Sequence, residues 1–209
     1  MRLPSAITAC AVLVSGLQAG AAAAQDRVSI RFLQRTTVNA GILKGAVEEA
    51  ARIWRPYGIV VSPDPPDAGG SRSMTELLVA LDVDHEGTGG LGEIRFADNG
   101  IPDSSITLFY RPLLRLVDTS ELGSAARQLP VAVRDRLLAR ALGRALAHEV
   151  GHFVLRSPHH PSRGLMRSRH SASMLTEASA KAFKLTGVDR ARLKIVLAAP
   201  ANGTLTRTY

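Results

Sequence analysis

Residues 148–152 read His148-Glu149-Val150-Gly151-His152 and lie near the end of a stretch with strong helical character. Residues four positions apart lie on the same face of an α-helix, one turn from each other. The two imidazoles can therefore bind one Zn²⁺, and Glu149 can reach a zinc-bound water molecule as its general base. The stretch predicts a catalytic zinc site at the end of a helix.

The helix that carries this motif is predicted over residues 130–155. Pro130 suits its first position, where no backbone N–H donor is needed. Pro158 cannot continue a helix, and it disfavours helical geometry at Ser157. The face predicted to be buried contains apolar residues at helical spacing, namely Val131, Leu137, Leu138, Ala141, Leu142, Ala145 and Leu146. We therefore expect the motif in the last two turns of a long helix.

The residues before this helix predict a mixed sheet. Residues 28–33 alternate between apolar and polar, residues 39–54 have helical spacing with Asn39 as N-cap, and residues 59–61 form a second strand. The two strands of this β-α-β unit are expected to be parallel. Further strands are predicted at residues 76–83, 92–97 and 106–110, and C-terminal helices at residues 171–185 and 188–198. We expect an α+β fold with a twisted, mixed sheet of about five strands.

A catalytic zinc ion needs three protein ligands and one open position. After His152 the only carboxylates are Glu177 and Asp189, whereas His159 and His160 follow the end of the helix directly. A glutamate ligand on a following helix would be Glu177, although its surroundings lack the second acid that is usual in that type of zinc site. The residues alone favour a histidine and leave the choice between His159 and His160 open.

The segment from residue 148 to residue 166 resembles the zinc-binding segment of the metzincins. It is most similar to small matrixin-like metallopeptidase domains of bacterial secreted proteins. This resemblance implies that His148, His152 and His160 (alternatively His159) bind the metal, that Glu149 is the general base, and that Met166 forms the methionine turn beneath the metal.

The same resemblance implies a zincin fold, in which an antiparallel edge strand near residues 92–97 holds an extended peptide by strand addition. Two departures concern the turn after the helix. Leu155 stands where the family has glycine, and seven residues rather than five separate His152 from His160. A non-glycine residue must therefore make this turn, which is uncommon but allowed.

The first 24 residues have the composition of a secretory signal peptide. Arg2 precedes an apolar segment, and Ala22-Ala23-Ala24 provides a small-residue cleavage site. The apolar segment is too short for a transmembrane helix, so no membrane span is expected. Residues 25–209 are predicted to form a single metzincin-like catalytic domain, secreted or periplasmic. Because the one cysteine, Cys10, lies in the signal segment, thiolate zinc ligands are excluded.

The chain carries a net charge of +8, and its positive charge is concentrated after the motif. Residues 153–209 contain ten lysines and arginines and two acids. Such a charge run indicates either a solvated basic face or an anionic partner, such as an acidic substrate or a cell-envelope polymer. Aromatic residues make up 4% of the chain, which argues against a nucleic-acid module. His170 is expected at the surface.

These features favour a secreted zinc-dependent metallopeptidase that hydrolyses peptide or protein substrates. Two alternatives remain from the sequence. One is a non-catalytic metal-binding domain that associates with the cell envelope through its basic C-terminal third. The other is a zincin whose third ligand is Glu177.

Overall fold

The computed structural model describes residues 26–33, 38–63, 74–86, 90–121 and 130–199. Within these ranges the strands are β1 (Asp26–Phe32), β2 (Ile59–Ser62), β3 (Met74–Asp82), β4 (Gly92–Phe96) and β5 (Pro102–Phe109). The α-helices are α1 (Ala40–Trp54), α2 (Tyr110–Thr119), α3 (Val131–Leu155), α4 (Ala172–Thr176) and α5 (Gly187–Ala198), with 3₁₀ turns at Arg55–Tyr57 and Lys181–Phe183. No helix in the described part of the chain combines the length and hydrophobicity that a membrane span requires.

The five strands form one mixed sheet in the order β2-β1-β3-β5-β4. β1 is parallel to both β2 and β3, and β3 is parallel to β5, so the predicted β-α-β unit is confirmed. β4 is antiparallel to β5 and lies at the edge of the sheet. The register of this pair shifts between Ile94 and Phe96, which marks a β-bulge or a similar irregularity. The predicted α+β class and the mixed five-stranded sheet are therefore confirmed.

Helices α1 and α3 pack against each other and supply much of the hydrophobic core. α1 begins as predicted, because the Asn39 side chain accepts a hydrogen bond from the Gly41 backbone N–H at 2.8 Å. At its other end Trp54 is fully buried, and its Nε1 donates to the Ala147 carbonyl oxygen at 3.0 Å. This hydrogen bond fixes α1 to the part of α3 that immediately precedes His148.

Helix α3 matches its predicted length, with a small difference at its start. Pro130 is the N-cap, with extended ψ of 143°, rather than the first helical residue. At the other end Arg156 has a left-handed backbone, with φ of 47°, and its N–H donates to carbonyl oxygens of the last turn. Arg156 therefore makes the glycine-free turn that the sequence required, and the chain reverses into the segment containing His160.

One prediction about helices is wrong, and one helix was not predicted. Residues 171–185 do not form one helix, because only α4 is helical before the 3₁₀ turn that contains Phe183. In a continuous helix the carbonyls of residues 174, 176 and 179 would accept backbone N–H groups. Here they accept hydrogen bonds from Arg144 and Arg140 side chains instead. The helix that was not predicted is α2.

The predicted signal segment at residues 1–24 lies outside the described residues, as does the end of the predicted domain from residue 200. The second C-terminal helix is close to its prediction. It begins at Gly187, with Thr186 as N-cap and Asp189 completing a capping box.

Candidate metal centre

Three imidazole nitrogens converge at the C-terminal end of α3. His148 Nε2 lies 3.0 Å from His152 Nε2 and 3.2 Å from His160 Nε2. The remaining side of the triangle, between His152 Nε2 and His160 Nε2, is 3.1 Å. Nitrogen ligands around a tetrahedral zinc ion, each about 2.0–2.1 Å from it, lie roughly 3.3 Å apart. The three histidines are therefore close enough to bind one metal ion.

Backbone carbonyls orient two of these rings. His148 Nδ1 lies 2.8 Å from the Leu165 carbonyl oxygen, and His152 Nδ1 lies 2.6 Å from the Ser157 carbonyl oxygen. A carbonyl can only accept, so Nδ1 carries the proton in both rings and Nε2 presents a lone pair to the centre. Such outer contacts fix the tautomer that a metal ligand needs.

The surroundings keep the imidazoles neutral. Burial, and then the positive charge that His152 would carry, lowers the pKa of His148 to about 3. Burial also lowers the pKa of His152 and of His160. Metal ligands must be deprotonated, and three converging lone pairs repel one another unless a cation lies between them. The donor set therefore fits a bound cation.

Among the alternative third ligands, the structure brings His160 to the centre. His159 is exposed, and its backbone N–H donates to Ser157 Oγ at 3.3 Å, which helps to form the turn. Glu177 is exposed beyond the end of α4 and does not line the cavity beside the histidines. Neither residue belongs to the histidine cluster found within the described ranges.

Met166 and Gly151 pack together beneath the histidines. Met166 is 1% exposed. A Cβ atom on Gly151 would overlap the Met166 sulfur and would lie 3.3 Å from Trp54 Cζ2. A larger residue at this position of the motif would therefore force the Met166 side chain to shift, because the methionine occupies the space where a side chain would project. The neighbouring residue Leu165 supplies the carbonyl that orients His148. This short segment therefore both packs against the helix and orients one of the histidines.

Glu149 is buried beside the histidines, against the start of β4. It is 5% exposed, and burial followed by the negative charge of Glu93 raises its pKa to about 8. A Cβ atom on Gly92 would lie 3.1 Å from Glu149 Oε1 and 2.9 Å from the Thr107 carbonyl oxygen. The absence of a side chain at Gly92 thus lets the carboxylate approach the strand. A carboxyl group with a pKa near neutrality can both accept and donate a proton.

A cavity of about 750 Å³ opens beside this centre. Its walls come from the three histidines and Glu149, from β4, from α2, and from residues 167–170. Phe96 on β4 contacts His152 edge to face, with ring centroids 6.3 Å apart. The volume and the partly apolar lining are typical of a ligand-binding pocket.

His170 also lines this cavity, which corrects the expectation that it lies on the surface. Its ring stacks on Phe183 with centroids 4.7 Å apart and meets His148 edge to face at 6.1 Å. Both ring nitrogens are buried, and they face the Leu165 backbone. Burial lowers the pKa of His170 to about 4. This packing could not be predicted from a local pattern, because Phe183 lies 13 residues further along the chain.

The arrangement joins a metal-binding triangle, a buried carboxyl group and an adjoining cavity. Three neutral nitrogens can hold a metal and leave a coordination position open towards the cavity, as catalytic sites require. Gly92, Gly151 and Leu165 contribute to this geometry, and the sequence patterns did not single them out. Comparison with protein-family models finds no match, and comparison with curated proteins finds none either.

Proposed function

We propose that the protein is a secreted, metzincin-type zinc metallopeptidase. The observation that carries this proposal is the convergence of His148, His152 and His160 next to the buried carboxyl of Glu149. Zinc is the proposed metal because three imidazoles and no thiolate are a common catalytic zinc set. The apolar segment at residues 1–24 supports export to the periplasm or the exterior.

His148, His152 and His160 would hold the zinc ion, which as a Lewis acid would lower the pKa of a water molecule and polarise a substrate carbonyl. Glu149 accepts the proton of the attacking water and donates it to the leaving amine. Leu165 and Ser157 keep two of the histidines in the tautomer that presents Nε2. Met166 forms the proposed methionine turn, and it packs against the helical turn between His148 and His152.

The substrate is proposed to be an extended peptide that adds to the sheet at β4. This strand lies at the sheet edge, with β5 on one side and no described strand on the other. Its residues Gly92, Glu93, Ile94 and Phe96 line the cavity beside the histidines. A peptide paired with β4 would use backbone hydrogen bonds for affinity and would cross in front of Glu149.

The experiment is hydrolysis of an internally quenched peptide library by the zinc-loaded protein. Wild type should cleave members of the library, and Glu149→Gln should bind zinc equally while losing activity by on the order of 10²–10⁴-fold. Glu48→Gln, on an exposed part of α1, is the matched control and should keep full activity.

Two outcomes would contradict the proposal. One is a Glu149→Gln variant with wild-type activity, since the general base would then lie elsewhere. The other is a fully zinc-loaded wild type that cleaves no peptide. That second outcome would favour the non-catalytic alternative, a metal-binding domain that attaches to anionic envelope polymers through its basic C-terminal third.

A further inference from the structure

Residues 167–169 form a basic part of the cavity wall. Arg167 is half-buried and Arg169 is exposed, and both line the cavity together with Ser168. The acidic groups of the cavity, Glu93 and Glu149, belong to β4 and α3. The wall that follows Met166 therefore presents positive charge without an acid of its own.

Among the residues that the structure describes, no carboxylate pairs with the positive charges of this wall. The third arginine of the cavity, Arg115, pairs with Glu86 at 3.2 Å. By contrast, no ion pair involves Arg167 or Arg169 within the described ranges. The Arg167 guanidinium instead approaches Met174 Sδ at 3.6 Å, a weak contact that leaves its charge available.

Both ends of this segment are anchored. On one side the Leu165 N–H donates to the Lys184 carbonyl oxygen at 2.9 Å, and Met166 is fully packed under α3. On the other side the ring of His170 stacks on Phe183. Two arginines on an anchored segment lose less conformational entropy on binding a ligand than they would on a free loop. In a partly enclosed cavity their charges are also less screened than on an open surface.

We propose that Arg167 and Arg169 form a subsite for the carboxylate of an aspartate or glutamate side chain in the peptide substrate. This inference rests on the proposed peptidase function and specifies its substrate class, namely peptides with an acidic residue close to the scissile bond. Guanidinium groups suit this role because their planar donors can bind a carboxylate in a bidentate manner.

The test compares matched pairs of internally quenched peptides that carry Asp or Asn at one position near the cleavage site. For the zinc-loaded wild type, kcat/KM should favour the Asp member by on the order of tenfold, as expected for a charge-assisted hydrogen bond in a partly exposed pocket. Arg167→Gln and Arg169→Gln should each reduce this ratio, and the double variant should bring it close to unity. The ratio is internal to each variant, so partial unfolding does not change it.

The matched control is Arg163→Gln, which removes an exposed arginine that does not line the cavity. It should keep the wild-type Asp/Asn ratio. The inference is overturned if wild type cleaves both members equally, or if the preference for Asp survives in the double variant.

If wild type cleaves no peptide at all, peptide binding separates the two proposals. Fluorescence anisotropy of the same labelled Asp and Asn peptides would be measured with the zinc-loaded wild type and the double variant. Tighter binding of the Asp peptide that disappears in the double variant would support the subsite while the peptidase proposal fails. Equal binding of both peptides, or arginine-dependent binding of inorganic polyphosphate without an Asp preference, would overturn the subsite for acidic peptides.

Discussion

At the scale of single residues, the histidine centre depends on two glycines as well as on its ligand side chains. Gly151 lies between the two helical histidines in sequence, and Met166 occupies the space beside it. Gly92 similarly allows Glu149 to approach β4. Histidine spacing defines where the ligands lie, but these two glycines decide how closely the neighbouring segments can approach them.

Gly151→Ala is expected to destabilise the metal-free protein by about 1–3 kcal/mol, a typical penalty for overpacking a core. The added methyl group would overlap the Met166 sulfur. Introducing Gly151→Ala into a Met166→Ala variant should therefore cost less stability than introducing it into wild type. Urea unfolding measures both effects.

Gly187→Ala provides the control, because it is also a helical glycine and a Cβ atom there has no neighbour within 4 Å. Its stability should stay within about 0.5 kcal/mol of wild type. If Gly151→Ala were as stable as Gly187→Ala, the proposed packing of Met166 against α3 would be wrong.

Residue roles were predictable where they follow from spacing along one helix. His148, Glu149 and His152 occupy the predicted last turns of α3 because the i, i+4 relation is local. His160 was favoured by resemblance, and the structure brings it to the other two histidines. The position of His170 could not be predicted, because its ring stacks on Phe183. Phe183 lies in the segment that was predicted to be helical and instead forms a 3₁₀ turn.

At the scale of elements, one buried arginine ties the C-terminal segment to the helical layer. Arg144 on α3 is fully buried and donates to Glu49 Oε1 on α1 at 2.9 Å. It also donates to the Met174 carbonyl oxygen and, at 3.0 Å, to that of Ser179. Its guanidinium lies 4.7 Å from the centroid of the Phe183 ring. The network explains why this segment is irregular where a helix was predicted.

Arg144→Met should cost about 3 kcal/mol of unfolding free energy, because it leaves two partly buried carbonyls without donors and removes one partner of a buried carboxylate. Glu49 keeps its pairing with Arg52 at 2.7 Å, which limits the loss. Lys44→Met, at an exposed pair with Glu48, is the comparison and should change stability by less than about 1 kcal/mol. Similar unfolding free energies for the two variants would contradict a structural role for Arg144.

Helices and strands were predicted best where their apolar residues recur at regular spacing. α1, α3 and the strands have clear patterns, and the structure contains all of them near the expected bounds, except that β5 begins at Pro102, four residues before its predicted start. α2 was missed although Leu113 and Val117 are spaced by one turn and buried. Pro112 lies in the first turn of α2, where proline is compatible with a helix.

At the scale of the whole molecule, the centre is assembled from the end of α3, the turn after it, and the segment around Met166, with β4 closing one side of the cavity. The α+β class and the mixed sheet followed from the sequence. The cavity did not, because its walls are set by contacts between segments that are far apart in the chain.

The central claim is that His148, His152 and His160 together hold one zinc ion. The most direct test is zinc content after equilibration with limiting Zn²⁺ and dialysis, measured for wild type, His160→Ala and His159→Ala. We expect about one zinc per chain in wild type and in His159→Ala, and a large loss in His160→Ala, because a catalytic site needs three protein ligands. Full zinc content in His160→Ala, or a wild type that retains no zinc, would contradict the account.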